Sequence, residues 1–146
     1  LGIQTWTWSR DLRGRPMAYA GLRLRPRDLL KIGALVLRGG QWQGRQVVPS
    51  AWVQATTSTH IRASARFGYG HQWWTSEHTV AGRSLAVIQA IGNGGQRLFV
   101  VPELDLVVAM TAGDYGKPDI LAAEDAVFAA LLALVARQAQ PPATAR

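Results

Sequence analysis

The sequence predicts an α+β fold, an antiparallel sheet meander flanked by helices, and three observations carry that prediction. Two segments, 26–37 and 119–137, repeat apolar residues at helical spacing. Between them the period changes at Phe67, and short aromatic or apolar runs follow one another. The connections between those runs are short, which favours antiparallel neighbours over parallel crossovers.

Taken in order, residues 1–24 read as irregular, with Gly2, Gly14, Pro16 and Gly21 as breakers. The alternation Thr5-Trp6-Thr7-Trp8 is too brief to establish a strand. Pro26 opens a helix where a missing N–H costs nothing, and Asp28 suits the positive end of its dipole. Leu29, Ile32, Gly33, Val36 and Leu37 form the expected buried stripe, and Gly39-Gly40 supplies a left-handed stop. Gln41 to Val48 reads as a turn and a short extended piece. Residues 49–55 read as a second helix capped by Ser50, and 56–66 as a surface loop.

Strands are expected at Tyr69–Trp74, Leu85–Ile91, Arg97–Val101 and Leu106–Thr111. The continuous apolar character of the last three implies a sheet covered on both faces. Asp119 then caps a long helix to about Arg137, with Ile120, Val127, Phe128, Leu131, Leu134 and Val135 on its buried side. Residues 1–137 are expected to form a single partial domain, and 138–146, with Pro141-Pro142, a flexible tail.

Composition narrows the function. At 146 residues and 48% hydrophobic content, the chain can bury a core and is not of disordered type. The absence of cysteine excludes disulfides, thiol catalysis and cysteine–zinc sites. No apolar run approaches the ~20 residues of a membrane span. The net charge is +7, and fourteen of the sixteen basic residues are arginine. Six of these (Arg10, Arg13, Arg15, Arg23, Arg25 and Arg27) fall within 18 residues. They are interleaved with Gly, Pro and Leu rather than set on one helix face, so nucleic acid is not an expected partner. His60, His71 and His78 stand at spacings of eleven and seven, with no acidic cluster beside them, so no metal is expected.

The stretch with most chemical content is Ile91-Gly92-Asn93-Gly94-Gly95-Gln96, followed by an apolar run, a Pro102-Glu103-Leu104-Asp105 turn and a second apolar run. It reads as a hairpin whose first turn is polar and poor in Cβ atoms. A tetrahedral oxyanion needs converging N–H donors, and a strand-edge N–H beside glycines can provide one. Glu103 and Asp105 lie at the opposite hairpin end and are read as turn residues.

Four ordered blocks extend this reading. Gly21-Leu22 through Pro26-Arg27-Asp28-Leu29-Leu30-Lys31-Ile32-Gly33 resembles the G-G-L-x-x-T-P-x-D-L-x-K-x-G segment of the beta-lactamase-related, penicillin-binding-protein-like serine hydrolases. Gly39 to Pro49 is similar to their G-G-x-W-x-G-x-x-V-V turn, and Phe67 to Trp74 to their Y-G-Y-G-W-W strand. Gly92 to Gln96 falls where their Lys-Thr-Gly or His-x-Gly element stands. The resemblance implies the C-terminal part of a beta-lactamase/DD-peptidase-like fold. It also implies acyl-enzyme hydrolysis of an ester, amide or peptide-like small-molecule substrate, with no cofactor.

By residue, the resemblance implies that the Gln96 backbone is an oxyanion donor with Gly95 beside it, and that Asn93 and Gly94 bind substrate. Asn93 stands where the family has Lys or His. It can hydrogen-bond a substrate but cannot pair with its carboxylate, which favours esterase, amidase or peptidase chemistry over beta-lactam recognition. The family's Ser-x-x-Lys does not occur: Ser9, Ser50, Ser58, Ser64, Ser76 and Ser84 are followed at that spacing by Leu12, Val53, Ile61, Phe67, Thr79 and Val87. Tyr19, Tyr69 and Tyr115 do not stand in its Tyr-x-Asn pattern. The chain is therefore expected to be a C-terminal portion, inactive alone, with the missing N-terminal portion as its partner and self-association as the consequence of its absence. The resemblance also suggests a periplasmic or secreted enzyme. The competing reading is a non-catalytic basic binding module or a pseudoenzyme remnant.

Overall fold

The computed structural model describes residues 1–138. In chain order it contains β1 (Trp6–Trp8), β2 (Leu22–Leu24), α1 (Pro26–Leu37), β3 (Gln41–Trp42), β4 (Arg45–Gln46), α2 (Ser50–Thr57), β5 (Ile61–Arg62) and β6 (Gly68–Tyr69). There follow β7 (Trp74–Val80), β8 (Arg83–Gly92), β9 (Gln96–Val101), β10 (Leu106–Met110) and α3 (Ile120–Gln138). Six strands make one antiparallel sheet in the order β10-β9-β8-β7-β6-β5, a meander in which every sequential pair is adjacent. The architecture is the expected helix-flanked antiparallel sheet.

Strand alternation divides the sheet into two faces. Leu85, Val87, Phe99 and Val101 face α3 and cluster with its Phe128 and Leu132. Phe99 stacks on Phe128 with ring centroids 3.7 Å apart. The opposite parity, including Leu98 and Val107, faces α1. Gly33 lets that helix approach closely, since a Cβ there would collide with Val107 Cγ1 and lie 3.0 Å from Leu98 Cδ1. The end of α1 is a Schellman stop: Gly39 N–H donates to Val36 O at 3.0 Å and Gly40 N–H to Leu35 O at 2.8 Å. Asp28 in the first turn pairs with Lys31 at 2.7 Å.

Several local expectations need correction. Residues 5–24 are not wholly irregular: β1 and β2 pair antiparallel, and Trp8 Nε1 donates to Met17 O at 2.9 Å and Ala20 O at 3.2 Å, closing the loop between them. The expected 69–74 strand is interrupted, because Gln72 takes a φ of 69° and turns β6 into β7. Most of β7 was not foreseen, because its positions Ser76 and His78 on the α3 side are polar and give no apolar alternation. The expected 56–66 loop holds the end of α2 and the edge strand β5.

Ser50 does not cap α2; Pro49 occupies the cap position and no side chain bonds to it. In α1 the most buried apolar side chain is Leu35, while Leu29, Ile32, Val36 and Leu37 are half-buried around Gly33. In α3 the buried row is Glu124, Phe128 and Leu132, and Val127 and Leu134 stand 59% and 53% exposed. The run from Ala126 to Ala136 is apolar on every side, so the sequence offers no contrast by which to choose a face. Of the expected tail, Gln138 is the last residue of α3 and 139–146 lie outside the described residues. Among the described residues, no helix is long and apolar enough to cross a membrane.

Candidate active site

The antiparallel order brings three connections to one end of the sheet. These are the β6–β7 loop, the β8–β9 turn and the segment that leaves β10 towards α3. Gly92 pairs with Gln96 across the β8–β9 turn, so Asn93, Gly94 and Gly95 form a three-residue connection. Gly94 has φ 78° and Gly95 φ 92°, conformations that any side chain would strain.

The segment after β10 is tied to this turn. Asp114 N–H donates to Gly94 O at 3.2 Å, and Gln96 Nε2 donates to Ala112 O at 2.5 Å and to Gly94 O at 3.3 Å. A Cβ on Gly94 would meet the Tyr115 ring at 2.5 Å. One on Gly95 would lie 2.6 Å from both Ala112 Cβ and Glu124 Oε1.

All four sequence-derived residues thus fall in one turn, but they are not equally open. Gly92 and Asn93 are exposed, Gln96 is half-buried, and Gly94 and Gly95 are buried. The expected reason for the glycines, an open edge for an incoming carbonyl, therefore needs correction. On their Cβ side they are small because Tyr115, Ala112 and α3 press against them. Tyr115, Ala112 and Glu124 were not foreseen as neighbours of the turn. Tyr115 has no motif to signal it, whereas Glu124 could have been sought as the partner of Arg97, because buried charges pair.

Behind the turn lies a buried polar network. Arg97, 1% exposed, donates from Nη1 to Glu124 Oε2 at 3.0 Å and from Nη2 to Gln89 Oε1. Its Nη2 also lies 3.4 Å from Asp125 Oδ1, and its Cζ stands 4.7 Å from the centre of the Phe99 ring. Asp125 Oδ2 meets Arg66 Nη1 at 2.5 Å, and Gln89 Nε2 donates to Ser76 Oγ at 2.8 Å. His78 packs edge-on against Phe128. Burial lowers its pKa, nearby Arg66 and Arg97 lower it further, and Asp125 opposes them.

The remaining candidates lie elsewhere. His71 stacks on Trp52, and its ring centre lies 4.6 Å from that of His60. Among the described residues, no three His, Cys, Asp or Glu side chains converge as a metal site would require. A cleft of about 450 Å³ lined by Thr59, Arg62, Arg66, Thr75 and Glu77 includes none of the turn residues. Glu103 accepts a bond from Ala86 N–H at the opposite end of the sheet, as a turn residue should. The β8–β9 turn thus carries the exposed amide side chain of Asn93 at this end of the sheet.

Comparison with known proteins identifies what the chain is similar to. The family model described as Beta-lactamase matches residues 2–132. A 6-aminohexanoate-dimer hydrolase from Paenarthrobacter ureafaciens is 29% identical over 127 residues, covering 73% of this chain and 31% of that protein. A solved structure from Bacillus anthracis, provisionally named a 6-aminohexanoate-dimer hydrolase, superposes with a TM-score of 0.70 at 22% identity. It covers 90% of this chain and 34% of the other. The chain spans about a third of the length of these relatives.

Proposed function

The chain belongs to the beta-lactamase family, and from that premise we propose that it is the C-terminal portion of a serine hydrolase. In this reading it supplies the third active-site element, and a preceding segment supplies the nucleophile. Two things support the reading: the family match over residues 2–132, and the resemblance of the Gly92–Gln96 stretch to the family's third motif.

The roles follow from chemistry. Attack of a serine oxygen on an acyl carbonyl forms a C–O bond and moves the carbonyl π pair onto oxygen. The Gln96 N–H donates to that oxyanion, and the nucleophile's own N–H is the second donor. The Asn93 side chain, exposed beside the turn, hydrogen-bonds the substrate. Gly95 and Gly94 keep the turn in its positive-φ path, so that Gln96 enters β9 at a fixed point. Collapse of the adduct expels an amine or alcohol, which takes up the proton the serine lost; water then attacks the acyl-enzyme, releasing the acid and returning a proton to the serine.

An amide is the favoured substrate class. The curated relative is named a hydrolase of the 6-aminohexanoate dimer, and a neutral Asn93 suits an uncharged acyl chain. The test is covalent labelling with a fluorophosphonate. A longer polypeptide that carries Ser-x-x-Lys ahead of this chain should be labelled once, on that serine. The 146-residue chain alone should not be labelled. Labelling of Ser9, Ser50 or any other serine of this chain would overturn the assignment.

A further inference from the structure

Gln96 is followed by a buried arginine, and that arginine leads to the helix behind the turn. Arg97 faces α3, and its guanidinium is held by Glu124, Gln89 and Asp125 on its edges and by Phe99 on its face. Glu124 is 4% exposed and uses only Oε2 in the pair. Its Oε1 is buried without a hydrogen-bond partner and stands 2.6 Å from the place a Gly95 Cβ would occupy. A buried carboxylate oxygen without a partner is costly, and an apolar pair of similar volume would fill the same space at no such cost. Stability alone therefore does not account for this arrangement.

We infer that Arg97 and Glu124 are positioning residues that clamp the Gly95–Gln96 backbone from behind. The inference rests on the reading of Gln96 as an oxyanion donor. Two constraints act together. The guanidinium cannot slide along β9 without leaving Glu124, Gln89 and Phe99, so the Gln96–Arg97 peptide keeps its place along the strand. The Glu124 carboxylate stops Gly95 from moving towards α3, so the turn keeps its depth. Preorganised donors act only if held near the position the oxyanion will take, within about 0.5 Å. Ala112 and Tyr115 bound the same turn through contacts of their own.

The experiment replaces the pair without emptying its space. Arg97→Met combined with Glu124→Met keeps the volume, and Glu124→Gln keeps the shape and removes the charge. Amide hydrogen exchange is followed by NMR in the 146-residue chain. Turnover is followed in the longer polypeptide. The expected result is exchange at the turn's protected amide, Asp114 N–H on Gly94 O, faster by about tenfold or more, with Val87 and Val100 changed far less, since local openings are independent of global unfolding. In the longer polypeptide kcat should fall by roughly tenfold to 10²-fold with KM little changed, as displacement of a reacting group by a fraction of an ångström to 1 Å implies.

Unchanged exchange at the turn in both variants overturns the clamp. So does a uniform rise across the whole sheet in both. Local loosening with unchanged kcat supports the clamp and overturns instead the assignment of Gln96 as the oxyanion donor.

Discussion

The ring of Tyr115 occupies the space that a side chain on Gly94 would need: a Cβ there would stand 2.5 Å from Cδ1 and 2.6 Å from Cε1. Gly94 also has φ 78°. Gly94→Ala therefore meets two penalties, a left-handed backbone and a steric one, and should destabilise the chain by at least about 1–2 kcal/mol. Removing the ring as well, with Tyr115→Ala, should recover the steric part and leave the backbone part. Urea denaturation midpoints of the two single variants and the double variant separate the contributions.

Arg97 and Glu124 form an ion pair with 1% and 4% of their surface exposed. Replacing either one alone with Met strands the other charge in the interior and should cost about 3–5 kcal/mol. Replacing both with Met should cost far less than the sum of the two. A double-mutant cycle by chemical denaturation reads this directly. Additive losses would mean that the two side chains act independently.

His78 gives the fold a pH dependence. Its folded pKa is lowered, first by burial and then by nearby Arg66 and Arg97. The unfolded chain therefore binds the proton more readily than the folded one, and stability rises with pH through this window. The contribution is fully present above the ordinary histidine value of about 6.5 and is lost as pH falls below it. Thermal denaturation between pH 5 and 8 should show a Tm that drops on the acid side, and His78→Gln should flatten that slope. An unchanged slope in the variant would assign the pH dependence to other groups.

How much of this was legible depends on contrast within each segment. Helix α1 was legible because Pro26 and Gly39-Gly40 mark its ends, whatever it packs against. Strands β8, β9 and β10 were legible because they lie between α1 and α3 and are apolar on both sides. Strand β7 was hidden because Ser76 and His78 face α3, where apolar residues would have announced it. β1 and β2 were hidden because three residues are too few to establish a period. In α3 the uniform run from Ala126 to Ala136 concealed the buried face, and the position of Glu124 in front of Phe128 and Leu132 reveals it. The turn was legible as a motif, and its neighbours were not. Tyr115 and Glu124 reach Gly94 and Gly95 through the path of the chain after β10, which no local spacing encodes.

The apolar surface left open on α3 leads to a prediction about association. Val127 and Leu134 lie on its outer side, and Trp6, Trp52 and Leu12 are exposed elsewhere. Apolar patches beyond a few hundred Å² recruit partners or aggregate. The 146-residue chain should therefore self-associate at tens of micromolar in sedimentation. Val127→Glu combined with Leu134→Lys should make it more nearly monomeric without unfolding it. A monomeric parent chain with no dye-accessible apolar surface would show that this face needs no cover.

In the proposed mechanism the Gln96 N–H stabilises the oxyanion of an acyl-transfer reaction. That role is tested most directly by removing that one hydrogen-bond donor while leaving every side chain in place. Semisynthesis of the longer polypeptide with an ester in place of the Gly95–Gln96 amide does so. Losing one oxyanion donor costs about 10²–10³ in turnover. A fall in kcat of that size is expected, with KM little changed and hydrogen exchange elsewhere in β9 preserved. Turnover equal to that of the all-amide protein would contradict it and leave the Asn93–Gln96 turn as a structural hairpin.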